Sequence, residues 1–158
     1  MLAEVQGETK DALENLRDLA RGIYPPLLAD KGLAAALESQ ARKSPVSTTV
    51  ESEGIGRYPQ DTEAAVYFCT LEALQNVSKY ANASGVIIRL ADGNGSLSFR
   101  VTDDGAGFDQ AETGYGTGLQ GMADRLAALD GSVEVESAPG QGTTVTGRIP
   151  IAATEVVR

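Results

Sequence analysis

The chain has 158 residues, 42% of them hydrophobic and 22% charged, which fits one globular domain with a buried core and argues against wholesale disorder. With 22 acidic against 13 basic residues the net charge is −9. That argues against non-specific nucleic-acid binding, and any phosphate ligand must be held by local devices, not by the overall field. Histidine is absent and Cys69 is the single cysteine, so the chain holds no histidine base, nucleophile or metal ligand, no internal disulfide and no zinc spacing.

Residues 2–23 predict a helix, because Leu13, Leu16, Leu19 with Ala20, and Ile23 recur at three-to-four spacing among charged residues. Pro25-Pro26 is expected to end it. Leu33–Leu37 predicts a second, short helix, and Val46–Val50, rich in β-branched residues, a strand. Pro59-Gln60-Asp61 reads as a helix start, with the helix running from about Thr62 to Ala81. Cys69 lies in its apolar run and reads as a small buried hydrophobe. Val86–Leu90 and Leu97–Thr102 predict strands joined at Asp92-Gly93-Asn94-Gly95, a hairpin signal. A glycine-rich irregular loop over 103–118 leads into a helix over Leu119–Leu129, closed by Gly131. Ser132–Ser137 and Thr143–Ile149 predict strands around Pro139-Gly140-Gln141-Gly142, and a loose tail follows Pro150. No apolar run reaches membrane-spanning length, and the N-terminus lacks a signal-peptide pattern. The expected fold is α+β, a two-layer α/β sandwich with helices on one face of a sheet.

Four stretches could carry chemistry. On the helix over 62–81, Glu72 and Asn76 are four apart and share a face that Lys79 and Tyr80 extend by a turn. A carboxylate can act as base, an amide oxygen suits a hard metal ion and an ammonium suits phosphate, although on spacing alone a solvated helix face accounts for them better. Asp103-Asp104-Gly105-Ala106-Gly107-Phe108 follows a predicted strand. Its glycines permit close backbone approach and its aspartate can accept a hydrogen bond from a ligand amine; a Gly-rich turn is the plainer reading. Gly114-Tyr115-Gly116-Thr117-Gly118-Leu119-Gln120-Gly121 contains G-x-G-x-x-G, a weak match because it follows a polar loop and not the strand of a first βα unit. It still opens a helix whose free N–H groups suit an anion. Gly140-Gln141-Gly142-Thr143 is adequately read as a hairpin turn.

The order of these stretches is more specific than any one of them. Glu72-x-x-x-Asn76-x-x-Lys79, Asp103-x-Gly105-x-Gly107-Phe108, Gly116-x-Gly118-Leu119 and Gly140-x-Gly142-Thr143 resemble the N, G1, G2 and G3 boxes of the gyrase, chaperone, histidine-kinase and MutL ATPase superfamily, over roughly residues 60–150. The stretch Arg21–Leu33 and the run Gly118–Arg125 resemble the sensor histidine kinases that pair with helix-turn-helix response regulators. Those kinases often carry His where this chain has Tyr24 and Tyr80.

The resemblance implies the histidine-kinase ATPase (Bergerat) fold with a mixed sheet. It implies an end of a dimerisation helix and linker over 1–30, an ATP-binding catalytic domain over 31–151 and a tail over 152–158. ATP and Mg²⁺ are the implied cofactors. Asp103 would accept a hydrogen bond from the adenine amino group, with Gly105 and Gly107 letting the backbone approach the base and Thr143 fixing the adenine end. Asn76 would bind Mg²⁺; Lys79 would contact phosphate, with Tyr80 beside it. Glu72 would orient or activate the site as the catalytic residue. Gly116, Thr117, Gly118 and Leu119 would form a mobile lid and helix start over the phosphates. The implied partners are a dimerisation domain carrying the phosphoacceptor histidine on an earlier helix, a response regulator and a second copy in the full-length protein, with no direct nucleic-acid contact. The catalytic domain would be cytoplasmic, and the chain alone would not autophosphorylate. A serine kinase of the anti-sigma-factor type, or a non-catalytic remnant of the same fold, are the alternatives.

Overall fold

The computed structural model describes residues 25–77, 83–107 and 117–151, with the side chains of 117–119 left out. The helix expected over 2–23, most of the loop expected over 103–118 and the tail lie outside the described residues. Four helices are described: α1 (Pro26–Lys31), α2 (Leu33–Lys43), α3 (Gln60–Asn76) and α4 (Thr117–Ala127). The strands are β1 (Ser47–Glu53), β2 (Gly85–Gly93), β3 (Ser96–Asp103), β4 (Ser132–Ser137) and β5 (Thr143–Pro150).

The strands form one sheet in the order β1-β2-β3-β5-β4. β1 runs parallel to β2 and every other pairing is antiparallel, so the sheet is mixed. Its two faces differ as period-two alternation requires. Ile88, Val101, Val145 and Val135 lie across one face in register and are buried, as are Leu90 and Phe99 beside them. The helices cover this face, with α2 against β1, α3 against β3 and β5, and α4 against β4 and β5. The row Glu51, Arg89, Arg100, Thr146 and Glu134 lies on the other face and is polar throughout. Arg89 pairs there with Glu51 at 2.9 Å, an exposed contact of small worth. The result is the expected α+β two-layer sandwich, with the Bergerat arrangement of a mixed sheet under one layer of helices.

Local sequence explains the differences from expectation. Pro26 opens a helix where the proline pair was expected only to close one: it occupies the first helical turn, where the missing N–H costs nothing. α2 runs to Lys43 because Ala41 continues the buried stripe of Leu33, Ala36 and Leu37. α4 begins two residues earlier than expected and ends in a Schellman motif. Gly131 N–H donates to Leu126 O at 2.7 Å and Asp130 N–H to Ala127 O at 3.0 Å. Asp130, not Gly131, takes the left-handed conformation, at φ 61°. Asn94 and Gly95 both have positive φ, 56° and 74°, as a type I′ hairpin turn requires.

Gly147 on β5 faces Phe99, its register partner on β3, and a Cβ there would overlap the Phe99 ring. Phe99 is 1% exposed and has no room to retreat. Gly147→Ala is therefore expected to destabilise the fold by about 1–3 kcal/mol through overpacking. Urea unfolding checks this, and a midpoint equal to wild type would show that the core relaxes around the methyl group.

Candidate functional site

α3 is buried without interruption from Thr62 to Leu71, enclosed by the sheet and the other helices. After the exposed Gln60 and Asp61 of its first turn, polar side chains surface again toward its C-terminal end, where Glu72, Gln75 and Asn76 are half-buried. Glu72 and Asn76 thus sit where the helix leaves the core, in a partly desolvated environment that strengthens a contact with a charged ligand. α4 packs beside α3, and the Arg125 guanidinium lies 5.6 Å from the centre of the Phe68 ring, one turn below Glu72. Cys69 next to Phe68 is buried, which pushes its thiol up to about 12; Arg125 opposes the rise and Glu72 adds to it. This thiol is inert, as expected of a small buried hydrophobe.

At the end of β3, Asp103 is 6% exposed. Its Oδ1 accepts from Gly105 N–H at 2.8 Å, and the Thr143 backbone also hydrogen-bonds the carboxyl. Burial raises the pKa of this carboxyl above the usual carboxylate range, these two hydrogen bonds oppose the rise, and the charge of Asp104 adds to it. Asp103 and Thr143 are register partners, so the strand end and the β4–β5 turn meet here. The Thr143 hydroxyl is 2.8 Å from Ser137 Oγ, which closes the base of that turn.

The turn could not approach so closely with ordinary residues. Gly107 and Gly142 have φ of 67° and 76°. A Cβ on Gly107 would overlap Ala138 O, and one on Gly142 would overlap Asp103 O. Ala106 O accepts from Gly140 N–H at 2.6 Å, tying the loop after β3 to the turn. The outcome is a buried carboxylate in a wall of bare backbone, an arrangement able to take a flat ring edge-on and accept a hydrogen bond from its amine.

Of the residues expected from sequence, Asp103, Gly105, Gly107 and Thr143 come together at this strand end. Glu72 and Asn76 share the exposed end of α3. Lys79, Tyr80 and Gly116 lie outside the described residues, and Thr117, Gly118 and Leu119 open α4 by their backbone alone. Three participants had been assigned no role of their own from sequence. Gly142 makes the closest approach to Asp103, Arg125 ties α4 to α3, and Asp104 accepts from Ser84 and Gly85. Gly142 could have been found from Gly140-x-Gly142-Thr143; Arg125 and Asp104 act through contacts distant in sequence.

Residues 61–153 match the family of histidine kinase-, DNA gyrase B-, and HSP90-like ATPases. The chain is 32% identical to the sensor histidine kinase MctS of Rhizobium johnstonii, over 92% of this chain and 33% of that protein. It is also 32% identical to the signal transduction histidine-protein kinase/phosphatase DegS of Brevibacillus brevis, over 98% of this chain and 42% of that protein. The chain thus spans less than half the length of either relative. Its fold is similar to that of the blue-light activated histidine kinase of Erythrobacter litoralis EL346, with a TM-score of 0.66 at 21% identity over 96% of this chain and 63% of that one. No helix among the described residues is long and apolar enough to cross a membrane. With a family match from the start of α3 to beyond β5, and sensor histidine kinases among the proteins it resembles, the chain belongs to the histidine kinase-, DNA gyrase B- and HSP90-like ATPases.

Proposed function

We propose that the domain over 31–151 binds Mg-ATP and delivers its γ-phosphate to a histidine on the dimerisation domain of a two-component sensor kinase, of the kind that pairs with helix-turn-helix response regulators. In this reading residues 1–30 are the end of the dimerisation helix and its linker, and two copies associate in the longer protein. The observation that carries the reading is the buried Asp103 carboxylate in its backbone cradle. A carboxylate offers about four acceptor positions. The two backbone hydrogen bonds at Asp103 leave capacity for the adenine amine, which selects adenine over guanine.

The donor set fits a nucleotide-held ion and not a protein cage. Among the described residues there is no group of three or more His, Cys, Asp or Glu that could hold a metal. Mg²⁺ needs few protein ligands when phosphates supply the rest, and the half-buried Asn76 amide oxygen is a suitable hard donor. Bound there, Mg²⁺ would neutralise phosphate charge. Glu72, one turn away, orients or activates the site; Lys79, with Tyr80 next in sequence, would contact phosphate. The backbone N–H groups at Thr117–Leu119, with Gly116, serve the phosphates at the start of α4. Phosphoryl transfer requires mainly positioning and charge neutralisation, which these residues supply.

Calorimetric titration with ATP, with and without Mg²⁺, tests the binding step. Asn76→Ala is expected to remove most of the Mg²⁺ stimulation, roughly tenfold in affinity, while adenosine binding is retained. Equal stimulation in both proteins would reject the assignment. The transfer step needs a second protein that carries the dimerisation helix, because the chain has no histidine. Acid-labile, base-stable phosphate on that protein is the expected result. Acid-stable phosphoserine would favour a serine kinase, and absence of ATP binding a non-catalytic remnant.

A further inference from the structure

Asp104 is exposed, yet three donors converge on its carboxylate. Oδ1 accepts from Ser84 N–H at 2.8 Å and from Gly85 N–H at 3.0 Å, and Oδ2 accepts from the Ser84 hydroxyl at 2.6 Å. Its own N–H donates to Gly85 O at 3.4 Å. The Ser84 hydroxyl, followed by the Gly85 and Ser84 amides, holds this carboxyl below the usual carboxylate range. Asp104 therefore ties the end of β3 to the start of β2, where Val86 is the register partner of Asp103. On the other side, Gly142 lies against the Asp103 carbonyl. The backbone of Asp103 is thus fixed from both flanks, by a carboxylate on one side and by a bare α-carbon on the other. Core packing does not explain Asp104, which buries nothing; its three bonds act on the placement of its neighbour.

We propose that Asp104 is a positioning residue for nucleotide binding, fixing through Ser84 and Gly85 the strand end from which Asp103 meets adenine. The inference rests on the assignment of Asp103 as the adenine acceptor. Positioning matters because a hydrogen bond weakens steeply with misalignment, and a buried acceptor displaced from its partner forfeits most of its contribution.

Asp104→Ala removes all three carboxylate bonds. ATP affinity is expected to fall roughly fivefold to tenfold, the scale of one modest hydrogen bond. Asp104→Asn keeps an Oδ1 that can accept from both amides, and its NH₂ can donate to the Ser84 hydroxyl. It is expected to restore affinity to within about twofold of wild type. That rescue separates positioning by hydrogen bonds from a general effect of negative charge. Calorimetric titration of the three proteins with Mg-ATP decides between outcomes. Equal affinity in Asp104→Ala and wild type would overturn the inference, as would an Asp104→Asn variant as weak as Asp104→Ala. If Asp104→Ala does not fold, Ser84→Ala removes one of the three donors from outside the motif; a loss in the same direction supports the inference and unchanged affinity overturns it. A wild-type chain that binds no ATP would overturn the functional reading, and this inference with it.

Discussion

Asp103→Asn is expected to lower ATP affinity by about tenfold to a hundredfold while leaving the domain folded. In the proposed contact a carboxylate meets the adenine amine, and a hydrogen bond to a charged group contributes about 1.5–3 kcal/mol. The amide retains one oxygen, which can still accept from Gly105 N–H, but its NH₂ cannot replace the second carboxylate oxygen as an acceptor, so the hydrogen bond with the Thr143 backbone is weakened or lost. The burial of this carboxyl bears on stability as well as on binding. Burial raises the Asp103 pKa, so the folded chain takes up this proton before the unfolded chain as pH falls. The ionised carboxylate thus opposes folding above its folded-state pKa, and that penalty is gone below the unfolded value. Replacement by a neutral amide removes that penalty and so offsets the weakened Thr143 hydrogen bond, leaving stability within about 1 kcal/mol of wild type. ATP affinity should decline on acidification at a higher pH than an ordinary aspartate would give. Calorimetry at neutral pH, with urea unfolding of the same variant, checks both statements. Unchanged ATP affinity in a folded variant would remove Asp103 from the adenine site.

The parts of the fold legible in the sequence are those governed by neighbours in the chain. The Asn94-Gly95 turn was readable because two positive φ angles in succession admit few residue pairs. The strands from β2 onward follow alternation against one buried face, and the N-terminal edge strand β1 extends past its expected end through Glu51, Ser52 and Glu53, where pairing with β2 and not side-chain burial sustains it. α3 shows the limit of periodicity. Enclosed on all sides, it has no amphipathic stripe, and its boundaries follow from Pro59 and from its emergence at Glu72 and Asn76. The glycines of the candidate site were legible as motifs but not as contacts. Only the fold reveals that Gly107 meets Ala138 and Gly142 meets Asp103. The same holds for Leu28, which belongs to a segment read as linker yet is 0% exposed in the main core. No local pattern announces that the short helix around it docks on the domain.

The docking of α1 depends on Arg57, and Arg57→Met is expected to produce the largest loss of stability, about 3 kcal/mol. Arg57 Nε donates to Glu63 Oε2 at 2.9 Å and its Nη2 to Glu63 Oε1 at 3.2 Å, a two-point contact with a side chain that is 2% exposed. The same Nη2 donates to Ala29 O at 2.9 Å and Leu28 O at 3.3 Å, carbonyls near the end of α1. Close passage of the arginine stem leaves no space at Gly32, where a Cβ would lie 2.9 Å from Arg57 Cδ. One side chain thus connects the helix preceding Gly32 to the first turn of α3. Methionine keeps much of the apolar stem but abandons the Glu63 carboxylate, which retains the hydrogen bond from Tyr58 N–H at 3.1 Å. Removing one partner of a buried pair costs about 3–5 kcal/mol; the lower end applies because the Arg57 side chain is 51% exposed and water can reach part of the gap. For a chain of this length that corresponds to a fall of roughly 6–12 °C in Tm. The double variant Arg57→Met/Glu63→Met should be more stable than Arg57→Met alone, because no uncompensated charge is then buried. Urea unfolding of wild type, single and double variants checks the sequence of stabilities. A single variant within 1 kcal/mol of wild type would reduce Arg57–Glu63 to an ordinary surface ion pair, and a double variant weaker than the single would show that the carboxylate is held chiefly by groups other than the arginine.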